Sequence, residues 1–251
     1  MRESAALHSA GTLVMKSGTG DPPVFIAHGL GATSAELSPL IENISLPNPV
    51  YGFQTRGLDE AETPFASIEE MAQFHLEAIK HLQFHGPYFL VGYSLGGLVM
   101  LETAQRLLAA GESIGVLLMI DSYPRNVSLS LNARFRRAFR RTLRRISRIG
   151  HTPDQHPAKS LALHRVHRSG QVALQNYRPR FYSGKLDFIG AAEPTNLPDD
   201  PRAIWQPLAK SLDIETVPGD HRTMLTAYGA ALGSAVSRRL QRNLSVAGEA
   251  R

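Results

Sequence analysis

The stretch Phe89-Leu90-Val91-Gly92-Tyr93-Ser94-Leu95-Gly96-Gly97 decides the reading of this chain. An apolar run that reads as a strand ends in Gly-x-Ser-x-Gly, and a helical pattern follows at once from Leu98 to Leu108. A serine on so sharp a strand-to-helix turn has its hydroxyl forced outward, and only small flanking residues let the two backbones pass that closely. An ordinary glycine-rich turn is the alternative. With strand, turn and helix all present, Ser94 is read as a candidate nucleophile.

Working outward, strands are expected at Thr12 to Lys16, Val24 to Ala27, Pro49 to Phe53, Tyr88 to Gly92 and Gly115 to Ile120. Helices are expected over Ala35 to Asn43, from Ser67, and over Leu95 to Ala110. The second starts with a Ser-x-x-Glu capping pattern (Ser67, Glu70) and presents Met71, Phe74, Leu76, Ile79 and Leu82 on a broad apolar face. The alternation then stops for about sixty residues, longer than loops normally run. It resumes with a strand at Leu186 to Ala191, a helix near Pro201 to Ser211, a strand near Ile214 to Val217, and a closing helix from Arg222 to about Gln241. Such alternation predicts an α/β fold, a mostly parallel sheet with helices on both faces.

The interruption, residues 126–180, carries helical patterns of its own. Phe135, Phe139, Leu143 and Ile146 recur at helical spacing, with Arg134, Arg137, Arg141, Arg144 and Arg148 on another face, and a second helix is expected over Lys159 to Tyr177. Helices inserted between core strands near a catalytic edge are the usual material of a lid.

At 251 residues, 43% of them hydrophobic, the chain is expected to form one globular domain, residues 1–251. No apolar run reaches membrane-spanning length and the N-terminus does not read as a secretory signal, so the default location is the cytoplasm. The absence of cysteine excludes a thiol nucleophile and thiolate metal sites. No zinc spacing and no Gly-Lys-Ser/Thr phosphate loop is present, so neither metal nor cofactor is expected. The net charge of +5 is local: eight arginines fall between Arg134 and Arg148, and charge elsewhere is near balance.

A serine hydroxyl needs a base, and the base needs an orienting acid. Of ten histidines, His75, His81 and His85 read as surface residues of a helix, and His151, His156, His164 and His167 belong to the insertion. His221 follows a strand, in Val217-Pro218-Gly219-Asp220-His221, where a base could reach the turn from a loop at the strand ends. Asp121 ends the strand after the nucleophile helix and is the favoured acid; Glu193, after the next core strand, is the alternative. Asp220 adjoins the histidine and is expected to point elsewhere. The oxyanion donors are expected to be the backbone N–H of Leu95, after the nucleophile, and of Leu30 in the loop after Ala27, with Gly31 as the neighbour that could replace it. His28 reads as a turn-shaping residue.

These residues together resemble the type I thioesterase domains that end nonribosomal peptide synthetases and polyketide synthases, members of the α/β-hydrolase superfamily. The resemblance runs through Val50-Tyr51-Gly52-Phe53-Gln54-Thr55-Arg56-Gly57-Leu58, the Ser67 to Ala72 helix start, Gly86-Pro87-Tyr88 and the Ser94 turn, and Leu118 to Pro124. It continues through Asn176-Tyr177-Arg178-Pro179, Tyr182-Ser183-Gly184, Trp205 and Pro218-Gly219-Asp220-His221. In that family the acid follows this strand, which implies Asp121, 27 residues after Ser94. The family implies an acyl chain delivered as a thioester on the phosphopantetheine arm of a carrier protein, and release by water or by an internal nucleophile. No carrier domain precedes Met1, so a free-standing enzyme and an excised domain are both compatible with the chain.

Three readings follow: a serine thioesterase, favoured; a serine esterase or lipase-like hydrolase of oxygen esters; and a non-catalytic ligand-binding protein. The Arg134–Arg148 stretch is read either as a docking face for an acidic carrier protein or as the solvated side of an amphipathic helix.

Overall fold

In the computed structural model, which describes residues 7–8, 11–59, 61–125, 157–193 and 200–249, the strands are β1 (Leu7–His8), β2 (Thr12–Lys16), β3 (Val24–Ala27), β4 (Val50–Phe53), β5 (Tyr88–Tyr93), β6 (Ile114–Ile120), β7 (Tyr182–Ala191) and β8 (Ala209–Val217). They form one eight-stranded sheet in the order β1-β2-β4-β3-β5-β6-β7-β8. The β1–β2 and β2–β4 pairs are antiparallel, and every pair from β4 to β8 is parallel. The central strands β3 and β5 are buried at every position, as continuous apolar runs in a sheet covered on both faces must be.

Side-chain alternation sorts the core into two layers. Tyr88 and Leu90 of β5 join Phe25, Leu117, Met119 and Phe188 on one face, beneath helices α2 (Ile68–Leu82) and α3 (Leu95–Ala109). Phe89, Val91 and Tyr93 join Val24, Ile26, Leu118, Ile120 and Ile189 on the other, beneath the short α1 (Ser38–Ile41) and the closing α6 (Gly229–Glu249). The remaining helices are α4 (Pro157–Asn176) and α5 (Pro201–Trp205). Ser67 caps α2 by accepting from Glu70 N–H at 3.1 Å, and the Glu70 carboxylate reaches back to Ala66 N–H at 2.8 Å, a variant of the reciprocal capping box.

Several elements differ from expectation. The helix expected over Pro201 to Ser211 stops as α5 and a 3-10 turn at Gln206–Leu208, and β8 begins at Ala209. Pro207 supplies no N–H to continue the helix, while Tyr182 pairs with Ala209 and draws the segment into the sheet. Both β7 and β8 thus start earlier than their apolar cores. The closing helix starts at Gly229 and not at Arg222, because Asp220 accepts from Arg222 N–H and Thr223 N–H and shapes the residues between into turns.

Helix α4 is fastened at its middle and just past its C-terminus. Arg165 donates to the carbonyls of Gly57, Asp59 and Glu62 at 3.1, 3.2 and 3.3 Å, and Ser169 Oγ donates to Phe65 O at 2.7 Å. Just beyond the helix, the Tyr177 hydroxyl and Arg180 both reach the buried Glu102 carboxylate of α3. The helix expected around Arg134 to Arg148, with Phe135, Phe139, Leu143 and Ile146, lies outside the described residues.

Candidate active site

The turn at Ser94 has the backbone that the motif requires. Ser94 sits at φ 56° and ψ −119°, a region L-residues seldom enter, at a cost of about 1–3 kcal/mol. It is held there from several sides. Ser94 N–H donates to Ile120 O at 2.9 Å, Gly97 N–H donates to Ser94 O at 3.2 Å, and Ser122 Oγ also donates to Ser94 O. Gly96 is needed for close approach: a Cβ there would lie 2.4 Å from Ala27 O. The first turn of α3 therefore presses directly on the end of β3.

Tyr93 and Ile120 are paired in neighbouring strands, so Ser94 and Asp121 leave the sheet at the same edge. Asp121, at φ 45° and 4% exposed, donates its N–H to Ile189 O at 2.8 Å. Its Oδ1 accepts from Ala191 N–H at 3.4 Å, and its Oδ2 lies 2.6 Å from His221 Nδ1. With a carboxylate on Nδ1, the imidazole keeps Nε2 free to accept a proton.

His221 is held on two further sides. The Tyr93 ring stacks on it, with centroids 4.9 Å apart and planes 19° apart, and the Tyr93 hydroxyl donates to His221 O. Burial raises the Tyr93 pKa, so the phenol stays a donor. The Asp220 carboxylate is engaged within its own turn, accepting from Thr223 N–H, Thr223 Oγ1 and Arg222 N–H. These bonds, the Thr223 backbone first among them, hold its pKa below the usual range. Glu193 is exposed; its N–H donates to Gly219 O at 2.9 Å, and no hydrogen bond joins its carboxylate to His221 among the described residues. None joins Ser94 Oγ to His221 either, a link that in free enzymes is often loose and tightens when substrate binds.

The loop after β3 is shaped by His28. Its Nδ1 lies 2.9 Å from Gly29 O, and its Nε2 lies 2.9 Å from Thr55 Oγ1. Burial pushes its pKa down and keeps it neutral. The neutral ring then donates Nδ1–H to Gly29 O, and the single Thr55 hydroxyl proton is shared between His28 Nε2 and Ala32 O, 3.0 Å away. Leu30 follows in this loop, and Leu95 opens α3. Their side chains meet at α4, where a Cβ on Gly170 would come 2.6 Å from Leu30 Cδ1 and 3.6 Å from Leu95 Cδ2.

Beside Leu30 and Leu95 opens a cavity walled by Phe65, Met71, His75 and Val99 and roofed by Val166 and Gly170 of α4. His75 is the main departure from expectation in this region. Read as a surface residue, it is only 8% exposed and stacks on Phe53 at 3.8 Å. The signal was present: Ile68, Ala72, His75 and Ile79 share one helical face, and all are buried. Tyr93 was likewise not singled out, although it is the residue before the serine. Among the described residues no group of three or more metal-ligating side chains is clustered, and no helix is long and apolar enough to cross a membrane.

The family model of the thioesterase domain matches residues 22–243. The dimodular nonribosomal peptide synthase of Bacillus subtilis (strain 168) is 36% identical over 112 residues, 45% of this chain and 5% of its own length. The indigoidine synthase of Streptomyces lavendulae is 44% identical over 98 residues, 39% of this chain and 8% of its own length. The chain thus spans less than a tenth of these curated relatives. Among solved structures, the NocB thioesterase domain in covalent complex with a fluorophosphonate nocardicin G analog superposes with a TM-score of 0.71 at 22% identity, covering 89% of this chain and 96% of that one. Its fold is the one described above, that of the α/β-hydrolases. By the match over residues 22–243, the chain belongs to the thioesterase domain family.

Proposed function

We propose that this chain is a serine thioesterase that releases an acyl, polyketide or peptidyl chain from the phosphopantetheine thioester of a carrier protein. His221 Nε2 takes the proton of Ser94 Oγ as the oxygen attacks the thioester carbonyl carbon. The Leu30 and Leu95 N–H groups receive the charge that develops on the carbonyl oxygen. Collapse breaks the C–S bond, the leaving thiolate takes the proton from His221, and the acyl group remains as an ester on Ser94. His221 then deprotonates water, or a nucleophile within the acyl chain, for hydrolysis or cyclisation. Asp121 holds the imidazole throughout, and α4 is the described part of the lid, in the 126–180 insertion.

The reading rests chiefly on the 2.6 Å Asp121–His221 contact at the sheet edge where Ser94 holds its left-handed backbone. No step calls on a cofactor or metal. The carrier protein is the proposed partner, and a cytoplasmic location follows from that partnership. The Arg134–Arg148 stretch, read either as a carrier-docking face or as the solvated side of a helix, lies outside the described residues.

The test is kcat/KM on a thioester and an oxygen ester with the same acyl group, for wild type and Ser94→Ala. Thioester preference with loss of turnover in the variant is expected. Preference for the oxygen ester would favour an esterase, and full turnover by Ser94→Ala would defeat the serine mechanism.

A further inference from the structure

The cavity beside Leu30 and Leu95 is lined mostly by apolar residues, with His28, Gln54, Thr55, Arg56 and His75 as its polar side chains. Phe65, Met71, Val99 and Val166 supply its hydrocarbon surface, while His75 stands in its wall. Neither ring nitrogen of His75 has a hydrogen-bond partner among the described residues, and Nδ1 is sealed from solvent. Burial, reinforced by nearby His28, drives the His75 pKa down to about 3. The ring is therefore neutral, with one N–H and one lone pair. A sealed N–H without an acceptor is the costlier orphan, because a bare lone pair is tolerated more readily. That places the proton on Nε2, the nitrogen not sealed from solvent.

We propose that this cavity takes the acyl chain of the thioester substrate, and that His75 selects chains bearing an oxygen acceptor, a hydroxyl or carbonyl, over plain alkyl chains. The inference rests on the thioesterase reading. Leu30 and Leu95, the residues of both proposed oxyanion donors, line the cavity, which places it beside the turn that carries Ser94. An alkyl chain there leaves the Nε2–H group unpaired in an apolar wall, whereas an oxygen-bearing chain satisfies it. Phe53, stacked on the imidazole, fixes the plane of the ring.

The test compares octanoyl N-acetylcysteamine thioester with each monohydroxylated positional isomer, using wild type, His75→Phe and His75→Gln. Wild type is expected to favour at least one hydroxylated isomer over octanoyl by about tenfold in kcat/KM. His75→Phe, which keeps an aromatic ring against Phe53 and removes both ring nitrogens, should bring that ratio close to one. His75→Gln, which keeps an N–H donor, should restore part of it. A wild type indifferent to all isomers overturns the proposal whether or not the variants fold. Equal loss on both ester types, or a ratio unchanged in His75→Phe, also overturns it. Wild type that hydrolyses octanoyl oxygen esters but no thioester would defeat the thioesterase reading itself. That result is separate from indifference among thioesters.

Discussion

At Ser94 and Asp121 the backbone does something that ordinary turns do not: both residues have positive φ without being glycine. Asp121 Oδ2 lies 2.6 Å from His221 Nδ1, and in the proposed mechanism it fixes the imidazole tautomer. Asp121→Asn should therefore lower kcat by about 10³–10⁴-fold, measured by steady-state turnover, with a much smaller effect on KM. Tyr93→Phe removes the hydroxyl that donates to His221 O and keeps the stacked ring. Its kcat should fall by about tenfold, the loss of one hydrogen bond that positions the base. The roles of Ser94, Asp121 and His221 could be argued from local sequence because each follows a strand in a motif with its own backbone demand. Tyr93 and His75 escaped because their partners, His221 and Phe53, lie 128 and 22 residues away in the chain.

Helix α4 and the loop from Gly57 to Phe65 enclose the cavity from two sides and are joined by Arg165 and Ser169. The double variant Arg165→Ala, Ser169→Ala should raise KM several-fold while leaving kcat within about threefold. That split is expected when positioning of bound substrate is lost and the reacting groups are intact. Substrate titration of both enzymes checks it. Elements with continuous apolar runs were the most legible, and β3 falls at Val24–Ala27 as read. The early halves of β7 and β8 were not, because exposed residues such as Ser183, Lys210 and Ser211 leave no apolar run to read. Their strand character comes from pairing with each other. The first helix was expected as one piece and is a 3-10 turn followed by α1, the break falling where Pro39 enters.

For the whole molecule, Arg239 joins α6 to the sheet, meeting Asp187 Oδ1 at 2.6 Å, Asp213 Oδ2 at 3.0 Å and Glu215 Oε2 at 3.2 Å. Arg239 is 3% and Asp187 2% exposed, so Arg239→Leu leaves the buried Asp187 carboxylate with only Lys185, at 3.1 Å, as cation partner and should cost about 1–3 kcal/mol, read from chemical denaturation. Stability should also fall with acid. Unfolded His75 takes up a proton near pH 6.5, whereas the folded residue, desolvated by burial, does so only at about pH 3. Between those values the unfolded chain binds more protons, so this contribution is complete above pH 6.5 and is lost as pH falls. His75→Phe should flatten that part of the stability profile. The central claim, covalent catalysis by Ser94 with His221 as base, is tested most directly by intact mass after mixing with an acyl pantetheine thioester. Wild type should gain one acyl group, His221→Ala should gain it far more slowly, and Ser94→Ala should gain none. An adduct of equal yield in Ser94→Ala, or turnover that survives the loss of Ser94, would contradict it.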